Sequence, residues 1–158
     1  MIYSIATKED LEELAEFLEQ PSIDSTFVKP LSQRNISIKD RVYKKHESGY
    51  WIIARNEENN GVVGCLAVIP VKGKEIEIST FAVATETRGQ GVGSTLLDEA
   101  IKLVKEKYSV DTLILDSWEG NPVISRLMEK KGFNLREAFE DPDKRPPGVR
   151  TVVYSRKL

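Results

Sequence analysis

Thr87-Arg88-Gly89-Gln90-Gly91-Val92-Gly93 lies between two stretches of different period. Upstream, Ile76-Glu77-Ile78-Ser79-Thr80-Phe81-Ala82-Val83 alternates as a strand does. Ile76, Ile78, Thr80 and Ala82 fall on one face, and Glu77, Ser79, Phe81 and Val83 on the other. Downstream, Leu96, Leu97, Ala100, Ile101 and Val104 recur at helical spacing, with Asp98, Glu99, Lys102 and Lys105 opposite them. Three glycines and an arginine therefore sit where a strand turns into an amphipathic helix. The first N–H groups of a helix have no intrahelical partner, and the helix dipole makes that end positive. Glycines let the backbone adopt positive φ and approach a ligand closely. Together these features predict a cradle for an anion, most often a phosphate group.

Two common phosphate loops are excluded by spacing. A dinucleotide fingerprint needs glycine or alanine at the position after Gly93, which is Ser94. A Walker A loop needs Gly-Lys-Ser/Thr after four variable residues, which is absent. Arg88-Gly89-Gln90-Gly91-Val92-Gly93 instead resembles the Arg/Gln-x-x-Gly-x-Gly/Ala motif of the GNAT superfamily of acyl-CoA-dependent N-acetyltransferases.

The composition is compatible with that resemblance. A chain of 158 residues suits one domain, residues 1–158, with a substantial core. Its 23 basic and 25 acidic residues are nearly balanced and spread along the chain, which argues against a nucleic-acid-binding face. No apolar run reaches transmembrane length, so no membrane partner is expected. Cys65 is the only cysteine, which points to a reducing, cytoplasmic setting. One cysteine and one histidine, His46, assemble neither a metal cluster nor a nucleophilic dyad, so no metal is expected.

In chain order, Ile2-Tyr3-Ser4-Ile5-Ala6 reads as a strand, and Thr7 with Asp10 resembles a capping box. The helix that follows carries Leu11, Leu14, Ala15 and Leu18 inward. Residues 20–36 are polar, with two prolines and no clear period, and read as a short helix or a functional loop. A second helix spans residues 37–48 and closes at Gly49. Tyr50–Arg55 and Val62–Val71 form an antiparallel meander with the strand that feeds the glycines. After the central helix, Thr112-Leu113-Ile114-Leu115-Asp116 reads as a buried strand, parallel to that central strand through a right-handed crossover. Asn121-Pro122 opens another helix, ended by Gly132, and residues 133–138 and 149–156 form two closing strands.

This order is similar to the whole GNAT fold: a mixed α/β domain with a sheet of about seven strands and about four helices. Asn121 through Gly132-Phe133 also resembles that family's closing helix. The resemblance implies that acetyl-CoA donates an acyl group to an amine within a ternary complex. It assigns the pantetheine arm to the backbone of Phe81, Ala82 and Val83. It assigns the pyrophosphate to Arg88, Gly89, Gln90, Gly91, Val92, Gly93, Ser94 and Thr95, and the thiol end to Asn121. Arg126 and Lys130 are candidates for the coenzyme's 3′-phosphate, or are exposed helix charges that meet only water.

The attacking amine must lose a proton, so a base is needed. Glu77 is the candidate, on the face of Phe81 and Val83 and ~20 Å of strand before Val83. The competing reading is a solvated strand residue opposite a lysine. At the position of the family's tyrosine acid stands Met128, which carries no proton to donate. Ser125, Tyr154 or water then substitutes, or the thiolate leaves unassisted.

By resemblance, residues 20–36, the second helix and residues 141–148 build the acceptor site. Asp24, Glu140, Asp141 and Asp143 suit a cationic amine there, or are ordinary loop solubilisers. Polyamine, amino acid, aminoglycoside and protein amino terminus all stay open as acceptors, and a homodimer through the last strands is compatible with the family. Two rival readings remain: a CoA-binding regulatory module without turnover, and a nucleotide-binding protein using the same glycines.

Overall fold

The computed structural model describes residues 1–27 and 29–158. Val28, inside the 20–36 segment, lies outside the described residues. Among those residues the chain forms seven strands and five α-helices. They run β1 (Ile2–Ile5), α1 (Leu11–Glu19), α2 (Pro21–Asp24), α3 (Ile38–Ser48), β2 (Tyr50–Arg55), β3 (Val62–Val71) and β4 (Glu75–Val83). After the glycine loop come α4 (Val92–Lys107), β5 (Thr112–Trp118), α5 (Pro122–Lys130), β6 (Asn134–Glu140) and β7 (Arg150–Lys157). The sheet order is β1-β2-β3-β4-β5-β7-β6. Among the described residues only β4 and β5 are parallel neighbours, as expected when a helix makes the crossover between them.

The helices form for reasons visible in their residues. Ser37 caps α3 by accepting from the Asp40 N–H at 3.1 Å. Asn121 caps α5, and Pro122 occupies its first position, where its missing N–H costs nothing. At the other end of α5, Gly132 takes φ +76°, and Phe133 N–H reaches the Met128 carbonyl at 2.9 Å while Gly132 N–H reaches that of Glu129. This Schellman closure packs Phe133 near Met128, and both side chains are buried. Met128 is thus core. α4 buries Val92, Leu96, Leu97, Ala100, Ile101, Leu103 and Val104 along one stripe. Each large side chain there contributes roughly 1.5–3 kcal/mol over exposure.

The two faces of the sheet can be told apart by contacts. Trp51 on β2 donates its indole N–H to the Val42 carbonyl of α3 at 3.0 Å. Trp51 pairs with Ala67, and Ala67 with Ser79, whose hydroxyl accepts from Lys45 of α3 at 2.7 Å. Glu77 and Ser79 therefore lie on the α3 face. Phe81 and Val83 lie on the other: a methyl group at Gly93 in α4 would meet both at 3.6 Å.

Strict alternation along β4 predicted one face for all four residues, and the structure corrects that. The register with β3 passes from Cys65–Ala82 to Ala67–Ser79, so Leu66 opposes two residues, Thr80 and Phe81. This β-bulge adds one residue and reverses the phase. Thr80 sits in it at φ +49°, with the Cys65 thiol directed to its carbonyl at 3.7 Å.

A β-branched residue at positive φ is strained, typically by about 1–3 kcal/mol. Thr80→Gly relieves that strain and loses some backbone entropy. We expect a net gain of roughly 0.5–1.5 kcal/mol in unfolding free energy. Urea denaturation checks it, and unchanged or lower stability would show that the bulge does not strain Thr80.

Candidate active site

β4 and β5 pair only from Glu75 and Thr112 to Ile78 and Leu115. Beyond that point β4 continues on β3 to Val83, and β5 continues on β7 to Trp118. The backbone edges of residues 79–83 and 116–118 diverge without a ladder between them. Such an opening in a sheet accepts an extended chain as an added strand.

The glycine loop stands just past the end of β4. A 3₁₀ turn, Thr85–Thr87, leads into it, anchored by buried Thr87, whose hydroxyl donates to the Ala84 carbonyl at 2.9 Å. Gly89 and Gly91 take φ +80° and +77°, and a side chain on either would meet no atom within 4 Å. Gly91 is the N-cap of α4, and no side chain caps that helix. Its first helical bond is from Thr95 N–H to the Gly91 carbonyl at 3.0 Å, so the amides of Val92, Gly93 and Ser94 have no intrahelical acceptor. Arg88, Gly89, Gln90 and Gly91 are exposed, and Gly93, Ser94 and Thr95 are half-buried. An uncapped, electropositive helix start beside open backbone fits a pyrophosphate.

Where β4 and β5 part, a cleft of about 280 Å³ opens on the α3 face. Glu77, half-buried at 24 % exposure, lines it. Burial pushes its carboxyl above the usual carboxylate range, and nearby Asp116 adds to the rise, against the opposing pull of Lys144 and Lys45. Lys144 approaches Glu77 at 4.0 Å but bonds Asp116 more closely, at 2.8 Å. Arg145 meets the other oxygen of Asp116 at 3.3 Å. Burial pulls the Lys45 ammonium down to about 8, although Glu77 works the other way. The cleft thus holds a carboxylate whose hold on a proton burial strengthens, and a lysine brought down to about 8.

The three segments expected to build the acceptor site do converge here. Phe27, Leu31 and Arg34 come from the loop before α3, Arg41 and Lys45 from α3, and Lys144 and Arg145 from the loop before β7. The four acids singled out from the sequence do not line this cleft. Asp24 is occupied by the N–H and hydroxyl of Ser32, and Asp141 by the Thr151 hydroxyl at 3.0 Å. Glu140 and Asp143 lie outside it. The charge of the cleft is basic, not acidic. The sequence places Arg41 and Lys45 four apart on one helical face, but does not show what that face meets.

Other candidates fall as follows. Asn121 lines the cleft, its side chain accepting from Ile124 N–H at 3.4 Å and donating to Ser117 Oγ at 3.1 Å. Phe81 lines the cleft, while Ala82 and Val83 lie further along β4. Ser125 and Arg126 are exposed on α5, outside the cleft lining. Among the described residues no tyrosine lines the cleft, and Tyr154 packs against the core.

The family model described as "Acetyltransferase (GNAT) family" matches residues 10–133. The chain belongs to the GNAT acetyltransferase family. Solved structures share the GNAT fold over its full length. A ribosomal-protein-alanine N-acetyltransferase from Brucella melitensis aligns with TM-score 0.77 and 22 % identity over 100 % of both chains. An acetyltransferase of the GNAT family from Streptococcus pneumoniae gives 0.78 and 16 %, over 99 % of this chain and 98 % of its own. The ribosomal-protein-S18-alanine N-acetyltransferase of Escherichia coli gives 0.75 and 20 %, over 99 % and 94 %. A curated relative, succinate–CoA ligase (ADP-forming) subunit beta of Haloarcula marismortui, is 28 % identical over 129 residues. That match takes in 79 % of this chain and 33 % of the relative, so the chain spans about one third of the relative's length. No described helix is long and apolar enough to cross a membrane.

Proposed function

We propose that this chain transfers an acetyl or related acyl group from acetyl-CoA to the primary amine of an acceptor, by direct attack in a ternary complex. The observation that carries the reading is one alignment. The β4–β5 opening runs from the uncapped start of α4, where a pyrophosphate fits, to Glu77, where a base is needed. Family membership and neighbours named as alanine N-acetyltransferases support an amine acceptor.

In this reading the amides of Val92, Gly93 and Ser94 hold the pyrophosphate, and Arg88 adds charge-assisted bonds. The free edge of β4 aligns the pantetheine arm, and Asn121 stands near its thiol end. Glu77 takes the proton of the incoming ammonium, directly or through water. The amine nitrogen then forms its bond to the thioester carbonyl carbon, the carbon–sulfur bond breaks, the sulfur leaves with the electron pair, and the nitrogen's second proton passes to water or to the departing thiolate. A thiol with pKa ~8.5 leaves without a dedicated acid.

Acetyl-CoA and CoA are expected to stabilise the purified protein against heat where ATP and NAD do not. At a hundred times Kd the gain is ~2.7 kcal/mol, a shift of roughly 5–10 °C for a chain of this size. Thiol release with a panel of amines should follow. No shift with either CoA species would overturn the reading. Binding without thiol release to any amine would favour a CoA-binding regulatory module, the reading that a cleft without a tyrosine in its described lining supports.

A further inference from the structure

The cleft is built for a charge that the protein itself does not supply. Five cationic side chains, Arg34, Arg41, Lys45, Lys144 and Arg145, face two carboxylates, Glu77 and Asp116. Asp116 is already held by Lys144 at 2.8 Å and Arg145 at 3.3 Å. Among the described residues, Arg34, Arg41 and Lys45 have no carboxylate within 4.0 Å.

Two guanidinium donors are stranded. The Nε groups of Arg41 and Arg145 are buried and, among the described residues, have no hydrogen-bond partner. Arg145 is only 6 % exposed. An unpaired donor on a buried cation is costly, and native structures rarely leave one unless something else completes it. Arg34 is held in place: its Nε donates to the Lys29 carbonyl at 3.1 Å, and its guanidinium lies over the Phe27 ring at 5.8 Å. Burial lowers Arg34 to about 10, and Arg41 and Arg145 repel it further, so the cluster is destabilised by its own charge. An anion would relieve all three groups at once.

The pyrophosphate of the coenzyme is not that anion. No residue of the 88–95 loop lines this cleft, which instead contains Glu77. A cleft of about 280 Å³ also suits a small molecule rather than a folded protein surface.

We infer that the acceptor is a small amine that itself carries an oxyanion, an amino-acid-like zwitterion. Arg34, Arg41 and Arg145 bind the oxyanion while the amine meets Glu77. Planar guanidinium forks match the two oxygens of a carboxylate, and equally those of a phosphinate or phosphonate. This inference rests on the acyl-transfer reading and deepens it by naming the acceptor class.

The test offers matched sets to wild-type protein with saturating acetyl-CoA: α-amino acids, their carboxamides, the decarboxylated amines, and aminoalkyl phosphonates and phosphinates. Thiol release is measured for each, with calorimetric binding in the presence and absence of CoA. An oxyanion-bearing amine is expected to exceed its carboxamide and its decarboxylated amine by at least roughly tenfold in kcat/KM or affinity. Comparing the carboxylate and phosphorus sets then names the oxyanion. Arg41→Gln should raise KM for that acceptor by a similar factor and leave KM for acetyl-CoA unchanged. Arg34→Gln repeats the test if Arg41→Gln fails to fold.

Preference for carboxamides, decarboxylated amines or a blocked peptide's amino terminus would overturn the inference, even with acetyl-CoA bound and turned over. Failure of acetyl-CoA to bind would instead sink the acyl-transfer reading. Selective binding of acids over amides would then still uphold the oxyanion site, and absence of that selectivity would overturn it too.

Discussion

Replacing Gly91 by glutamate is expected to cut acetyl-CoA affinity by roughly 100-fold or more while the protein stays folded. Gly91 takes φ +77° at the N-cap of α4, with nothing within 4 Å of where a side chain would start. The open space means no clash with the protein. The cost to the fold is the left-handed backbone of a residue with a Cβ, about 1–2 kcal/mol. The cost to the ligand is larger. A carboxylate would stand where an uncapped helix start would receive phosphate oxygens, and it would repel them. Loss of two bonds between backbone N–H and an anion removes roughly 3–6 kcal/mol. Gly93→Ala is the control. A methyl there reaches Phe81 and Val83 at ordinary contact distance, 3.6 Å. Calorimetry with CoA decides it, and unchanged affinity in folded Gly91→Glu would sink the phosphate cradle.

Glu77→Gln should lower kcat by on the order of 100-fold or more at neutral pH, the usual range for a lost general base. Burial raises the Glu77 carboxyl above its ordinary value, so wild-type rate should climb as pH rises through that raised value. The variant should lose this limb and recover at high pH, where free amine forms in solution. An identical pH–rate curve would remove Glu77 as base. Stability should move the opposite way. A carboxyl whose folded pKa is raised stabilises the fold fully below its unfolded value, and that contribution is lost as pH rises through the folded one. Above that folded value the wild-type protein holds an unfavourable buried charge, which glutamine removes. A variant that is more stable yet far slower would separate catalysis from folding.

Much of this was legible in the sequence because it rests on local signals. The period change from β4 to α4, the glycines between them, the Asn121-Pro122 start of α5 and its Gly132-Phe133 end each act within a few residues. Their order along the chain carried the family. Other features were not legible. The bulge at Thr80 arises from pairing with Leu66 of β3, so counting by two along β4 placed Phe81 and Val83 on the wrong face. Ser125 looked available by position on α5, yet only the packed helix shows it exposed outside the cleft lining. The cleft's charge was hidden because Arg34, Arg41 and Arg145 come from three separate segments. Each in isolation reads as a solvated charge.

By itself, then, the sequence determined the fold family, the glycine loop at the start of α4 and Glu77 as a candidate base. These follow from hydrogen-bonding needs and periodicities that the chain expresses locally. Tertiary structure alone decided the sign of the charge in the cleft beside Glu77 and the face on which each β4 residue stands. Those properties depend on which distant side chains share one low-dielectric space, and on the extra residue a neighbouring strand accommodates. Neither is written in the spacing of any single segment.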